Sequence, residues 1–306
     1  MREANPRQPM RPWKLLRVLA AVCAMALLLA GCVELLPLDL PTPAPSGRSS
    51  LPGQPQLLIA MLDVGQGDSI LVGSDGQYLL VDAGDNTRGD DVLQALADMG
   101  VQRLAAVVGT HPDSDHIGGM DTVIDGIDVD AVYMSALESN TRTYEDLLDA
   151  IDRRGLTVTV PKPGQEIRLG SAVVRFLWPP RGHEDSKDNN HSIVLRVSGA
   201  GYTALLTGDI EKRAEKALLQ SGEYLDCDIL KVAHHGGASS SSQEFLDEAR
   251  PDIALIGVGA GNDYGHPKAD VLRRLDGIGA QVYRTDRNGA VTVAVIDGEL
   301  TIQTER

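Results

Sequence analysis

Residues 110–119 read THPDSDHIGG and set His111, Asp113, Asp115 and His116 within six positions. Imidazole nitrogen and carboxylate oxygen are ligands that divalent ions take without redox chemistry. Histidine occurs only seven times in 306 residues, so two of them interleaved with aspartates are poor material for an ordinary solvated loop. The segment therefore reads as half of a cage for one or two divalent metal ions. Further donors come singly: Asp209 in LLTGD, His234 and His235 in KVAHHGG, and His266 in YGHP. Alone, a strand-end aspartate reads equally well as a helix cap, and a lone histidine as a structural one. Together they complete the half-cage.

Each donor follows an apolar run of strand length. Residues 104–108 (LAAVV) precede the histidine loop, 203–206 precede Asp209, 228–232 precede His234, and 253–258 precede His266. Loops at one edge of a rigid sheet are where sites are usually built. Upstream, 56–62, 69–73 and 77–81 read as strands, with Asp75-Gly76 as the hairpin turn between the last two. Residues 131–134, 172–177, 193–197, 282–283, 290–295 and 300–303 add strands, while helical spacing marks 90–99, 144–154, 210–219, 242–249 and 268–275. Two strand-rich halves that each carry helices predict an α/β fold of two face-to-face sheets with helices outside.

The ends set a different expectation. Arg2, Arg7, Arg11, Lys14 and Arg17 precede the apolar run 18–30 (VLAAVCAMALLLA), short for a membrane span and suited to a signal-peptide core. The run ends in LAGC, which resembles a bacterial lipobox. That resemblance implies removal of residues 1–31, lipidation of Cys32 and attachment to a membrane outside the cytoplasm. Residues 32–56, rich in proline, then form a semi-rigid tether, and 57–306 form one large domain. Of the three cysteines, only Cys227 would remain as a free thiol, in a setting that suits a buried small residue. Formal charge falls from −15 to −19 once residues 1–31 take five cations and one anion with them. Such a body repels polyanions at long range.

The order THPDSDHIGG, LLTGD, KVAHHGG, YGHP resembles the metallo-β-lactamase superfamily. MLDVGQGDSILV (61–72), YLLVDAG (78–84) and NNHSIVLRV (189–197) resemble the hydrolase domain of ComEC-type competence proteins. The likeness covers residues 56–300, and implies an αββα sandwich presented as a hydrolase module alone on a lipid tether. It also implies roles. His111 and Asp113 would face one metal site, Asp115 and His116 a second that His266 completes, and Asp209 would bridge the two. Asn189, Asn190 and His191 fall where relatives carry a third ligand for the first site, and the choice among them stays open. Asp113 stands where many members have histidine, and its carboxylate oxygen, harder than imidazole nitrogen, admits manganese as well as zinc. Asp115 would share in catalysis, and His235 would serve as proton donor or oxyanion holder. His234 is its neighbour on an extended strand end where only one of the two can point inward. Gln66, Gly67, Asp68 and Asp82 would lie near the site, the two acids in positioning roles.

The expected activity is hydrolysis of phosphodiesters, with single-stranded DNA outside the cytoplasm as the substrate the resemblance implies. The acidic body and few aromatic rings weigh against a non-specific DNA groove. The alternatives are a non-catalytic metal-binding lipoprotein, or a hydrolase of another ester or a small phosphodiester. No stable protein partner is expected.

Overall fold

All five residues of β1 (Leu57–Met61) are buried, so this strand has apolar neighbours on both faces. Leu57, Ile59 and Met61 enter one core while Leu58 and Ala60 enter another, the two-residue period of a pleated strand. The same division runs through the whole body. The computed structural model describes residues 54–306; the expected signal segment, Cys32 and the tether up to residue 53 lie outside the described residues.

After β1 come β2 (Ile70–Ser74), β3 (Gln77–Val81), α1 (Gly89–Asp98), β4 (Arg103–Leu104) and β5 (Ala106–Gly109). The histidine loop then winds into α2 (Ser114–Ile117) and α3 (Met120–Gly126), followed by β6 (Asp128–Val129), β7 (Val132–Met134), α4 (Arg142–Arg153) and β8 (Val158–Thr159). The second half holds β9 (Glu166–Leu169), β10 (Ala172–Trp178), β11 (Val194–Gly199), β12 (Tyr202–Leu206), α5 (Lys212–Ser221) and β13 (Ile229–Lys231). It continues with α6 (Gln243–Ala249), β14 (Ile253–Ile256), α7 (Ala269–Gly277), β15 (Gln281–Arg284) and α8 (Thr285–Asn288), before β16 (Val291–Ile296) and β17 (Glu299–Thr304).

One sheet has the order β17-β16-β1-β2-β3-β5-β7-β8, the other β15-β14-β13-β12-β11-β10-β9. The central core draws on both, with Ile59, Val72 and Val108 meeting Val174, Leu195 and Leu206. Outside the first sheet, Val92, Leu96, Val123, Leu147 and Ile151 bring α1, α3 and α4 onto its far face. Outside the second, Leu218, Phe245, Leu246, Val271 and Leu275 do the same for α5, α6 and α7. The layers are therefore α, β, β, α, as expected. Cys227 lies in this last cluster, where burial, then the nearby Asp228 and Asp226, push its thiol up to about 12.

Two local expectations change. The single strand expected at 104–108 is two, because β4 leaves to pair with β6 while β5 stays between β3 and β7. The turn after β13 is not extended: His234 and His235 have φ of 53° and 52°, so the alternation of an extended strand does not choose between them.

The strands aim one edge of the sandwich at the candidate donors. β3, β5, β7 and β8 run parallel, as do β12, β13 and β14. Asp82, the histidine loop, Asp209, His234, His235 and His266 all follow C-terminal ends of these strands.

Candidate metal centre

Three buried imidazoles define the centre, and each is oriented through its Nδ1. His116 Nδ1 lies 2.8 Å from Asp82 Oδ2, and His235 Nδ1 donates to the Gly257 carbonyl at 2.8 Å. His111 Nδ1 lies 3.1 Å from the Thr110 hydroxyl, which itself donates to Asp82 Oδ2 at 2.8 Å. These partners leave every Nε2 free for a ligand, the arrangement in which outer hydrogen bonds orient metal-binding histidines. The Nε2 atoms of His111, His116 and His235 are all buried and none has a hydrogen-bond partner among the described residues.

Carboxylates complete the surroundings. Asp209 Oδ2 lies 3.3 Å from His116 Nε2 and 3.4 Å from His235 Nε2, while Asp115 Oδ2 lies 3.2 Å from His235 Nε2. One ligand atom each from His111, His116 and Asp209 fall within 4.8 Å of one another, and so do those of Asp115, His116 and His235. Two further such groups, Asp68 with Asp209 and His235, and Asp68 with Asp82 and His116, reach behind the imidazoles toward their Nδ1 sides. The donors of nitrogen and oxygen therefore fit a divalent ion. His116 belongs to both of the first two groups, so they are not independent cages.

Electrostatics agrees with a site built for a cation. Burial alone would lower the pKa of His116, but Asp209, Asp82 and Asp115 outweigh it and hold the ring well above its ordinary value. Burial likewise opposes the charge on His235, and Asp209 and Asp68 nevertheless raise it to about 10. Burial would raise the Asp209 carboxyl, yet His235, His116 and Lys231 hold it well below its usual range. In each case neighbouring charge overcomes desolvation.

Lys231 is a site residue that the sequence reading missed. It is fully buried at the end of β13, and its Nζ donates to the Gly208 carbonyl at 2.7 Å and to Asp209 Oδ1 at 3.2 Å. It also pairs with Asp68. The His234 backbone N–H takes a second place on Asp209 Oδ1, at 3.2 Å. One oxygen of Asp209 is thus fixed, and the other is turned to the imidazoles. The available signal was a lysine inside the apolar run 229–232 (ILKV).

The remaining candidates have distinct positions. Asp113 sits at the mouth, its carboxylate 44% exposed and 3.4 Å from His111 Nε2. Asp82, at φ 58°, also accepts from the Thr110 backbone N–H at 2.8 Å. Asp68 packs behind His235, 3.6 Å from its Nδ1. The structure brings His235 into the ligand cluster and leaves His266 beside it. His266 meets His234 edge-on at 5.4 Å and stacks on Tyr264 at 5.7 Å. Burial and the neighbouring His234 push His266 down to about 4. Asn190 and His191 turn elsewhere: Asn190 Oδ1 accepts from the Glu211 backbone N–H, and His191 Nε2 contacts the Asp185 carbonyl. Asn189 reaches His234 instead, at 3.4 Å.

Known proteins are similar to this chain in sequence and in fold. The sequence is 31% identical over 251 residues to ComE operon protein 3 of Bacillus subtilis, covering 76% of this chain and 32% of the relative. It is 29% identical to Competence protein ComA of Neisseria gonorrhoeae, covering 96% of this chain and 37% of the relative. The chain thus spans about a third of the length of these curated relatives. Among solved structures, the metallo-beta-lactamase fold protein YhfI from Bacillus subtilis superposes with a TM-score of 0.52 at 14% identity. That match covers 77% of this chain and 99% of the other, and bears on the fold alone. The family model of the metallo-beta-lactamase superfamily matches residues 62–259, the stretch that carries the imidazoles and Asp209, and the chain belongs to that superfamily of metal-dependent hydrolases.

Proposed function

We propose that this protein is a metal-dependent phosphodiesterase that cleaves DNA outside the cytoplasm. The observation that carries the reading is the cluster of three buried imidazoles, each with an unpartnered Nε2, together with Asp209 and Asp115, in a chain related to competence proteins. His111, His116, His235, Asp209 and Asp115 would hold one or two divalent ions, zinc or manganese. A bound ion supplies Lewis acidity toward a phosphoryl oxygen and activates water.

The chain's own residues do the rest. Lys231 and the His234 N–H keep Asp209 in one orientation, and Asp82 does the same for His116. Preorganisation of this kind lets the site act without rearranging during reaction. His234 and His266 lie beside the cluster, and burial first of all lowers the pKa of both. Both are therefore neutral near pH 7, and one of them can take or pass a proton as substrate and product exchange.

The test is hydrolysis by the full-length protein after chelation and reloading with zinc or manganese. Bis(4-nitrophenyl) phosphate and single-stranded DNA should both be cleaved, and only with metal. Intact phosphodiesters alongside hydrolysis of a lactam or thioester would leave the fold and remove this reading. We infer further that Cys32 is lipidated and tethers the body to a bacterial membrane. Labelled palmitate should enter the wild type and not Cys32→Ser, and equal labelling of the two would refute the lipobox.

A further inference from the structure

A cavity of about 340 Å³ opens on the same edge of the sandwich as the metal centre. That size falls within the range of small-molecule pockets. Its walls follow the C-terminal ends of β7, β8 and β10. Strand β10 lies two positions from β12, which delivers Asp209, and β8 lies two positions from β5, which delivers the histidine loop. At the ordinary spacing between strands the cavity is roughly 10 Å along the edge from the ligands.

Its chemistry is unlike the rest of this acidic body. Lys162, Arg181, His183 and His191 line it, and no aspartate or glutamate does. Most arginines here are tied to carboxylates, as Arg103 is to Asp130 and Arg142 to Asp146. Neither Lys162 nor Arg181 forms an ion pair with any described residue, and the nearby Asp185 is engaged by Arg213 at 3.1 Å. His183 Nε2 is buried without a hydrogen-bond partner among the described residues. Its ring meets Trp178 edge-on at 4.7 Å and lies 4.8 Å from the ring of His191. Pro161 and Pro179 supply apolar walls.

We infer that this cavity is a mononucleotide subsite that holds a neighbouring nucleotide of the strand being cut. This rests on the phosphodiesterase reading. Arg181 and Lys162 face the phosphate, which guanidinium and ammonium groups bind as charge-assisted donors. The base lies against the prolines and imidazoles, a contact that any base can make through its flat face. At about 3.4 Å per stacked nucleotide, the subsite sits within roughly three nucleotides of the scissile bond. His191, a candidate ligand by its sequence position, serves here as a wall of the substrate groove.

The experiment titrates the full-length protein with thymidine 5′-monophosphate by calorimetry, with metal and after chelation. Binding should survive chelation, because the subsite uses no metal. It should weaken at least about tenfold in Lys162→Ala/Arg181→Ala, whose exposed positions leave the melting temperature within a few degrees, and the double variant should raise KM for a short oligonucleotide. Absence of binding after chelation, or equal affinity in the double variant, would overturn the subsite. Inorganic phosphate binding as tightly as the nucleotide would remove the base contacts and with them the inference. If the wild type cleaves bis(4-nitrophenyl) phosphate but ignores the nucleotide, the subsite fails and the phosphodiesterase reading stands. If the nucleotide binds after chelation and no phosphodiester is cut, the cavity remains a nucleotide site, while its place on a strand being cut and the reading of function both fall.

Discussion

The two oxygens of Asp209 do different work. Oδ1 is held by Lys231 and the His234 N–H, and Oδ2 faces His116 and His235. Asp209→Ala should therefore remove more bound metal and more activity than His234→Ala, whose ring contacts Ser239 and Asn189 outside the cluster. Equal losses in elemental analysis and rate would contradict this division. The imidazoles make a second prediction. In the metal-free protein at neutral pH, His116 and His235 are charged, because carboxylates hold one well above its usual value and the other at about 10. An entering ion must displace those Nε2 protons, so lower pH favours the proton and higher pH the metal. Apparent affinity should rise about tenfold per pH unit for each proton displaced between pH 6 and 8. Dye competition measures it, and an affinity independent of pH would show that the rings are already neutral. Much of the centre was legible from residue types, since His111, Asp115, His116 and Asp209 stand out by scarcity and by position after apolar runs. Lys231 was not, because a lysine after Ile229 and Leu230 looks like a strand's exposed side until Asp68 and Asp209 close on it. Nor was the choice of His235 over His266, which depends on a positive-φ turn at His234 and His235.

Among the elements, the one that carries Asp115 and His116 is held by close backbone contacts. The short helix α2 is pressed against the segment after β3, where the Ala83 N–H donates to the His116 carbonyl at 2.7 Å and the Gly119 N–H to the Gly84 carbonyl at 3.1 Å. A Cβ on Gly119 would stand 2.4 Å from the Ala83 carbonyl oxygen, and one on Gly118 2.3 Å from the Asn86 nitrogen. Neither gap can open without moving α2, and Asp115 and His116 move with it. Gly119→Ala should thus cost about 1–3 kcal/mol by overpacking and lower metal content as well, although residue 119 supplies no ligand. Thermal melts and metal analysis check both, and a variant with unchanged melting and full metal content would show that the contact can relax. The two glycines were visible as GG, but their reason was not, since the pressing segment is some thirty residues away in the chain. Strands covered on both faces were legible as apolar runs. Strand β9 was not: it is the outermost strand of its sheet, and Glu166 and Arg168 are exposed on it. A strand that buries so little of its length leaves only a weak period to read.

For the whole molecule the question is how a body of net charge −15, or −19 without residues 1–31, handles a polyanion. Repulsion acts across about a Debye length, ~8–10 Å at physiological salt. Attraction is expected at one edge of the sandwich, where a loaded centre is a local positive spot and Lys162 and Arg181 line the adjoining cavity. Elsewhere many of the arginines, Arg153, Arg175 and Arg250 among them, are tied to carboxylates. Affinity for single-stranded DNA should accordingly be weak and should rise when divalent ions are added. Its dependence on salt should be shallow. Counterion release scales with the number of phosphates neutralised, so an edge that engages about three of them predicts a log–log slope near −2. A basic nuclease that tracks the backbone over many phosphates would give a steeper one. Fluorescence anisotropy with a labelled oligonucleotide, titrated from low to moderate salt with metal held constant, measures the slope directly. A value steeper than about −4 would require more phosphates than this edge engages, and would move the DNA contact away from it.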